Sequence, residues 1–428
     1  MIENNNNFIL RGCVLYSSTP EKLITFDDAY VVCKDGVSEG VFTEIPDEFK
    51  DFPIRDERDC LIIPGLTDLH THAPQYTYRG NGYDKELLDW LNTYTFPEES
   101  KYKDPLYAED SYRMFTEELR KSFTTRACIF GTAYAHTTIR LMEMLEESGL
   151  ITLVGKVNMD RNVPDYYVET TEGSVSATRD FVSKVKDRGF KNTGAIITPR
   201  FTPSCTRELL TELSKIAEEF DLPVQSHLSE NRSEIAWVKE LEPDTSCYAD
   251  SYLKAGLIGK NRPCIMAHCV WSDENEQRLL KENNVFIAHS PESNMNISSG
   301  AAPVKKYLYD GQKAGLATDV AGGSTLSMLS AMKSALHSSK LRFALFDEKL
   351  PPLTFPEAFY LATKGGGEFF GTVGSFEKGY SFDALILDDS SIKPSRGGAS
   401  IEERAERFMY LGNEGMIKGK YVAGKKII

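Results

Sequence analysis

The stretch Ile63-Pro64-Gly65-Leu66-Thr67-Asp68-Leu69-His70-Thr71-His72 closes an apolar run with two histidines one residue apart. On a β-strand the side chains of residues i and i+2 leave the same face, so His70 and His72 offer two ring nitrogens to one point from a single rigid element. Alone, an H-x-H is a weak signal, because two half-exposed polar residues on a strand spell the same letters. Three further segments end in the same way: Pro223-Val224-Gln225-Ser226-His227, Cys264-Ile265-Met266-Ala267-His268 and Gly315-Leu316-Ala317-Thr318-Asp319. Four strand ends with metal-ligand residue types point to one converging catalytic centre.

Working outward from that stretch, apolar and β-branched segments recur at residues 65–72, 124–131, 151–159, 194–201, 223–228, 263–269, 285–290 and 315–320. Between most of them lies helical spacing, as at residues 109–121, 139–147, 175–186, 207–220 and 275–282. Strand and helix in alternation imply parallel pairing through helical crossovers, and eight repeats imply a (β/α)8 barrel of the TIM type. Both ends depart from this pattern. Residues 8–16 and 29–42 read as short strands, the second interrupted by the turn signal Asp35-Gly36, and residues 382–387 and 419–425 read alike. Neither end has strands enough for its own core, so the two are expected to join as one small β-domain. The expected division is 1–63 and 373–428 for that domain and 64–372 for the catalytic barrel.

Composition bounds the function classes. The 428 residues carry 63 acidic against 49 basic side chains, a formal charge of −14 that repels phosphate backbones and anionic lipid. Nucleic acid and membrane are therefore not expected as partners, while a free base or nucleoside is compatible. Met1-Ile2-Glu3 and the asparagines 4 to 7 lack a basic and an apolar region and read as a frayed polar end rather than a signal peptide. No run of eighteen apolar residues suggests a membrane span. The eight cysteines form no C-x-x-C and read as reduced, buried small hydrophobes of a cytoplasmic protein.

The segments from Pro64 to His72, Gln225-Ser226-His227-Leu228-Ser229-Glu230, Met266-Ala267-His268 and Ala317-Thr318-Asp319 resemble the amidohydrolase superfamily. Within it, His72-Ala73-Pro74-Gln75-Tyr76, Trp90-Leu91, Tyr94-Thr95-Phe96-Pro97 and Thr198-Pro199-Arg200-Phe201 resemble the guanine deaminase family. The similarity runs in order from about residue 62 to 374 and on into the C-terminal strands. Pro74 stands where family members carry serine, and Ser290 where many carry cysteine.

The resemblance implies hydrolysis of guanine to xanthine and ammonia, with a homodimer and a place in purine salvage or breakdown. Sibling reactions on 8-oxoguanine, a pterin, a triazine or cytosine are the alternative, and a catalytically inactive scaffold of the same fold is a reading from another class. Deamination at neutral pH needs a nucleophile, which a metal supplies by lowering the pKa of water from about 16 to roughly 7. His70, His72 and His227 are assigned as imidazole ligands and Asp319 as the carboxylate ligand. His268 hydrogen-bonds the nucleophile from beyond the ligands, and Asp319 can also receive a proton. Two-metal members of the superfamily place a carboxylated lysine at the end of the fourth strand, but this chain has Thr198-Pro199-Arg200-Phe201 there. One zinc per subunit follows, with iron compatible with the same ligands. Glu230, three residues past His227, has the family's position for a proton shuttle between water and purine N3 while C2 is attacked. Arg200 can only donate, which suits the O6 of guanine and leaves the guanidinium unpaired before adenine, while Gln75 both donates and accepts. The substrate wall expected from the resemblance comprises His72, Ala73, Pro74, Gln75, Trp90, Arg200, Phe201, His227, Glu230 and Asp319, with Phe201, Trp90 or Phe96 stacking on the ring. His289 is expected to brace the pocket, His136 and His337 to lie on loop or helix surfaces, and Lys156 to be structural.

Overall fold

The computed structural model describes residues 7–394 and 398–428; the polar end read at Met1 to Asn6 lies outside them. Eight short parallel runs follow one another in chain order: β5 Leu66–His72, β6 Thr124–Phe130, β7 Ile151–Gly155 with β8 Val157–Asn158, β9 Thr193–Ala195 with β10 Thr198–Pro199, β11 Val224–Leu228, β12 Cys264–His268, β13 Phe286–His289 and β14 Ala314–Leu316. The first four repeats make one parallel sheet, β5-β6-β7-β9, and the last four another, β11-β12-β13-β14. Both seams between the sheets carry backbone hydrogen bonds. At one, Ile197 N–H donates to Pro223 and Gln225 N–H to Ile197, and at the other Asp319 N–H donates to His70 and His72 N–H to Val320. The strands are buried on both faces, as parallel strands covered by helices must be.

The crossover helices bury one face each. Pro105–Lys121 begins at Asp104, whose carboxylate caps Leu106 N–H, and buries Ala108, Tyr112, Phe115 and Leu119. Arg207–Glu219 is capped by Thr206 and buries Leu209, Leu210, Leu213 and Ile216. The helices expected at residues 139–147, 175–186 and 275–282 lie within Ala135–Ser148, Thr171–Arg188 and Glu274–Glu282.

The two chain ends share one seven-stranded sheet. The N-terminal segment supplies β1 Phe8–Thr19, β2 Lys22–Lys34, β3 Val37–Phe42 and β4 Ile54–Pro64, and the C-terminal segment supplies β15 Ala384–Leu387, β16 Ile417–Val422 and β17 Lys425–Lys426. The order is β17-β16-β15-β4-β1-β2-β3, with β15 against β4 joining the ends in antiparallel register from Ala384–Pro64 to Leu387–Leu61. Strand β4 and the first half of β2 do not stand out in the sequence. Ile54-Arg55-Asp56-Glu57-Arg58-Asp59 is charged almost throughout and half exposed, so it has no apolar run to mark it. A separate apolar cluster of Phe8, Val14, Val31, Ile62, Phe382 and Tyr421 fills this sheet's own core. The buried ion pair Arg126–Asp383, 2.7 Å from Nε to Oδ2, ties it to β6.

Candidate active site

Backbone geometry turns five side chains toward one point at the C-terminal ends of the barrel strands, the face where barrel enzymes do their chemistry. His70 and His72 stand on β5, His227 on β11 and His268 at the last position of β12, and Asp319 follows β14. Beside or at these residues the chain leaves the extended conformation abruptly. Ser229 (φ 46°), His268 (φ 74°) and Asp319 (φ 48°) are non-glycine residues in the left-handed region, a conformation that neighbouring contacts must hold. For Asp319 those contacts are visible. Its N–H donates to the His70 carbonyl at 2.9 Å, and Thr318 N–H donates at 3.0 Å to Asp68, which also accepts from His70 N–H at 3.2 Å. The turn beyond it closes so tightly that a Cβ on Gly323 would lie 2.0 Å from the Thr318 carbonyl oxygen.

The ring nitrogens converge. His70 Nε2 lies 3.2 Å from His72 Nε2, which is 3.2 Å from His227 Nε2. Asp319 Oδ1 is 3.1 Å from His70 Nε2 and 3.4 Å from His72 Nε2. His227 Nδ1–H donates to the Arg200 carbonyl at 2.6 Å, leaving the Nε2 lone pair aimed into the cluster. His268 donates in the same way from Nδ1 to the Asn294 amide oxygen at 2.9 Å, and its Nε2 faces Glu230 Oε2 at 3.3 Å and Asp319 Oδ2 at 3.7 Å.

Burial sets the protonation of this group. It holds the His70, His72 and His227 imidazoles well below their ordinary range, reinforced by the neighbouring rings, and His268 below it despite Asp319. Neutral imidazoles with free lone pairs beside a carboxylate form the donor set that a divalent cation takes, and His70, His72 and Asp319 have ligand atoms within 4.8 Å of one another, as do His70, His227 and His268. Glu230 is pushed up to about 8 by burial and then by Asp319, and Ser299 Oγ–H donates to its Oε1 at 3.0 Å. Its position follows from a capping box. Asn231 and Glu234 cap the helix Arg232–Leu241, and the Glu234 carboxylate accepts the N–H of Glu230 at 3.0 Å.

The opposite wall of the cavity carries Arg200, Phe201, Gln75 and Trp90. Arg200 is buried and paired in a two-pronged contact with Glu99, 2.7 Å from Nη1 to Oε2 and 3.1 Å from Nη2 to Oε1. Gln75 Nε2 donates to Glu99 Oε1 at 3.0 Å, while its Oε1 accepts from Ala321 N–H at 3.2 Å.

Of the expected site residues, the structure brings His72, Gln75, Trp90, Arg200, Phe201, His227, Glu230, His268 and Asp319 to the lining of one cavity, with His70 against His72 and Asp319. Ala73 and Pro74 are buried in the short 3-10 helix Ala73–Tyr78 and do not line the cavity; their place is to turn the chain from His72 to Gln75. Phe96 likewise is not on the wall, its ring lying beside the Arg200 guanidinium at 5.1 Å. His289 is buried off the cavity with neither ring nitrogen hydrogen-bonded, so it does not brace the pocket through polar contacts. His136 and His337 are exposed on helices, and Lys156 pairs with Glu169 at 2.7 Å. Glu99, Asn294 and Ser299 do not stand out in the sequence. In Phe96-Pro97-Glu98-Glu99 the carboxylate reads as an ordinary first-turn helix residue, and nothing local signals that it faces inward.

The amidohydrolase family model matches residues 61–427. A guanine deaminase of Dictyostelium discoideum is 40% identical, with 87% of this chain and 83% of that protein aligned, and one of Escherichia coli is 35% identical over 90% and 86%. The solved guanine deaminase of C. acetobutylicum, with guanine bound in its active site, superposes with a TM-score of 0.95 at 45% identity, covering 99% of this chain and 100% of that one. With this likeness running through the barrel and the shared sheet alike, the chain belongs to the amidohydrolase family and, within it, to the guanine deaminases.

Proposed function

We propose that the protein hydrolyses guanine to xanthine and ammonia with the help of one cation held by His70, His72, His227 and Asp319. The observation that carries the reading is that this neutral-imidazole and carboxylate cluster shares a single cavity with the Glu230 carboxyl group and the donor wall of Arg200 and Gln75. The ligand types suit zinc first and iron second. Such an ion supplies Lewis acidity and brings the pKa of water from about 16 to about 7.

The chain's own residues do the rest. Arg200 and Gln75 hold the purine edge-on by donating to O6, and Phe201 and Trp90 exclude water from the ring faces. This places C2 toward the histidine cluster and N3 toward Glu230. His268, with Nδ1–H committed to Asn294, has only an Nε2 lone pair to offer and accepts a hydrogen bond from the attacking water. Glu230 takes that water's proton at its carboxylate and delivers it to N3 as the C2–O bond forms. Asp319 or the emptied Glu230 carboxylate then takes the proton remaining on the C2 hydroxyl and passes it to the amine nitrogen, so that ammonia leaves as the C2–N bond breaks and C2=O forms.

The same reading takes residues 64–372 as the catalytic unit and places the protein in the cytoplasm, in purine salvage or breakdown. Among the described residues no helix is long and apolar enough to cross a membrane. A homodimer is part of the reading, supported by Leu341, Leu345 and Phe346, which expose large apolar side chains near one helix end; sedimentation would show a monomer if it is wrong. Metal analysis with ammonia release from guanine, 8-oxoguanine, pterins and cytosine tests the function. Zinc-loaded protein that turns over another member of that panel but not guanine would replace the substrate and keep the chemistry.

A further inference from the structure

One fully buried carboxylate beside the cavity, that of Glu99, belongs to no ligand set and touches no reacting atom. Its Oε1 accepts from Gln75 Nε2 and Arg200 Nη2, and its Oε2 from Arg200 Nη1 and, at 2.9 Å, from Tyr167 O–H. Four donors occupy the four lone-pair positions of the carboxylate, so its orientation is over-determined and it has nothing left to give a ligand. The helical turn that carries it, Phe96–Ser100, also lays the Phe96 ring beside the guanidinium. Arg200 is thus held in one plane by a ring and a carboxylate from the same turn.

We propose that Glu99 is a positioning residue that sets what kind of purine this pocket accepts. It cancels the charge of Arg200 and fixes the amide of Gln75, so that the wall presents aligned donors without net charge and takes a neutral 6-oxo purine in preference to an anionic one. The inference rests on reading Arg200 and Gln75 as the substrate-facing wall. Its physics is separate from that reading. A guanidinium buried without a counter-charge attracts any anion that fits, whereas one already paired through two N–H groups keeps its remaining N–H donors for a carbonyl oxygen and repays an anion little. The amide of Gln75 is constrained as well. With Nε2 drawn to Glu99 and Oε1 to Ala321 N–H, it cannot flip to offer its oxygen where its nitrogen now stands. Ala321 lies two residues past Asp319, so the same network sets the distance between the donor wall and the loop that carries Asp319.

Glu99→Gln keeps the size but removes the charge and turns an NH₂ toward the guanidinium. The expected result is a guanine KM raised about tenfold or more with kcat within about threefold of wild type and metal content unchanged. Urate, an anion at pH 8, should inhibit about tenfold more tightly, and neutral hypoxanthine more weakly. Unchanged urate inhibition overturns the proposal, and so does a parallel fall of kcat and 1/KM with lost metal, which is what a merely structural role predicts. Should Glu99→Gln fail to fold, Glu99→Asp keeps the charge with a shorter reach: guanine KM should rise with no gain for urate, and a gain overturns the proposal. Arg200→Met separates the two levels. If guanine KM is indifferent to that change, the reading of the wall fails and the proposal with it. If Arg200→Met weakens guanine as expected while Glu99→Gln leaves selectivity untouched, only the role of Glu99 falls.

Discussion

In the proposed reaction Glu230 and the histidines divide the work at the residue scale, and substitution separates them. Glu230→Gln keeps the shape and the hydrogen bond from Ser299 Oγ–H but loses the proton carrier, so kcat should fall by about 10² to 10⁴ with metal content near normal. Activity within about threefold of wild type would remove the shuttle role. His227→Ala deletes an imidazole whose tautomer the Arg200 carbonyl fixes, and it should lower bound metal itself, measured as stoichiometry after dialysis. The histidines and Asp319 could be picked out from the sequence because a two-residue period and strand-end placement are local patterns. The partners that hold them were not so visible. Asn294 reaches His268 from 26 positions away and Glu99 reaches Arg200 from 101, and no local pattern encodes contacts made by the fold.

At the scale of elements, the turn after β11 is the piece from which Glu230 hangs. Glu234 accepts N–H groups from Glu230 and Asn231 and the hydroxyl of Tyr248, all of them buried. Glu234→Ala leaves those donors unpaired and should cost about 1–3 kcal/mol of stability, together with a drop in kcat as Glu230 loosens. Burial, with Glu230 next in importance, pushes Glu234 up to about 8 from an unfolded value near 4.5. Between those values the folded chain keeps a proton that the unfolded chain has lost, so this residue's contribution weakens as pH rises from about 4.5 to about 8 and is level above. Denaturant titrations of wild type and Glu234→Gln across that window should diverge, the variant being flatter. All eight barrel strands and five of the crossover helices were legible as elements, since each buries an apolar run or stripe. Strand β4 was hidden because its first half is charged and its place is fixed by pairing with β1 and β15 rather than by its own pattern.

Over the whole molecule, two features tie the parts together. Arg126 and Asp383 form a buried, two-pronged bridge from β6 to the shared sheet, and Asp383 also accepts the N–H of Ala423. Asp383→Ala strands a buried guanidinium and should cost about 3–5 kcal/mol, seen as a lower unfolding midpoint, while kcat of the folded fraction stays near wild type. Removing the cation acts from the other end of the barrel. Chelation should abolish activity and lower Tm, and zinc should restore both, because a ligand bound only by the folded state adds its binding free energy to stability. An unchanged Tm would place the metal elsewhere or nowhere. The shared sheet also constrains the order in which the chain can mature during translation. Strand β4 runs through Pro64 and Gly65 straight into β5, yet its partner β15 is made only after the whole barrel has been synthesised. Until then the edge of β4 from Leu61 to Pro64 stays open, exposed to any other strand nearby. A ribosome that stops between residues 322 and 384 releases a chain that contains every cavity residue but has an unguarded sheet edge, so premature termination late in the message yields an aggregation-prone product instead of a shortened enzyme.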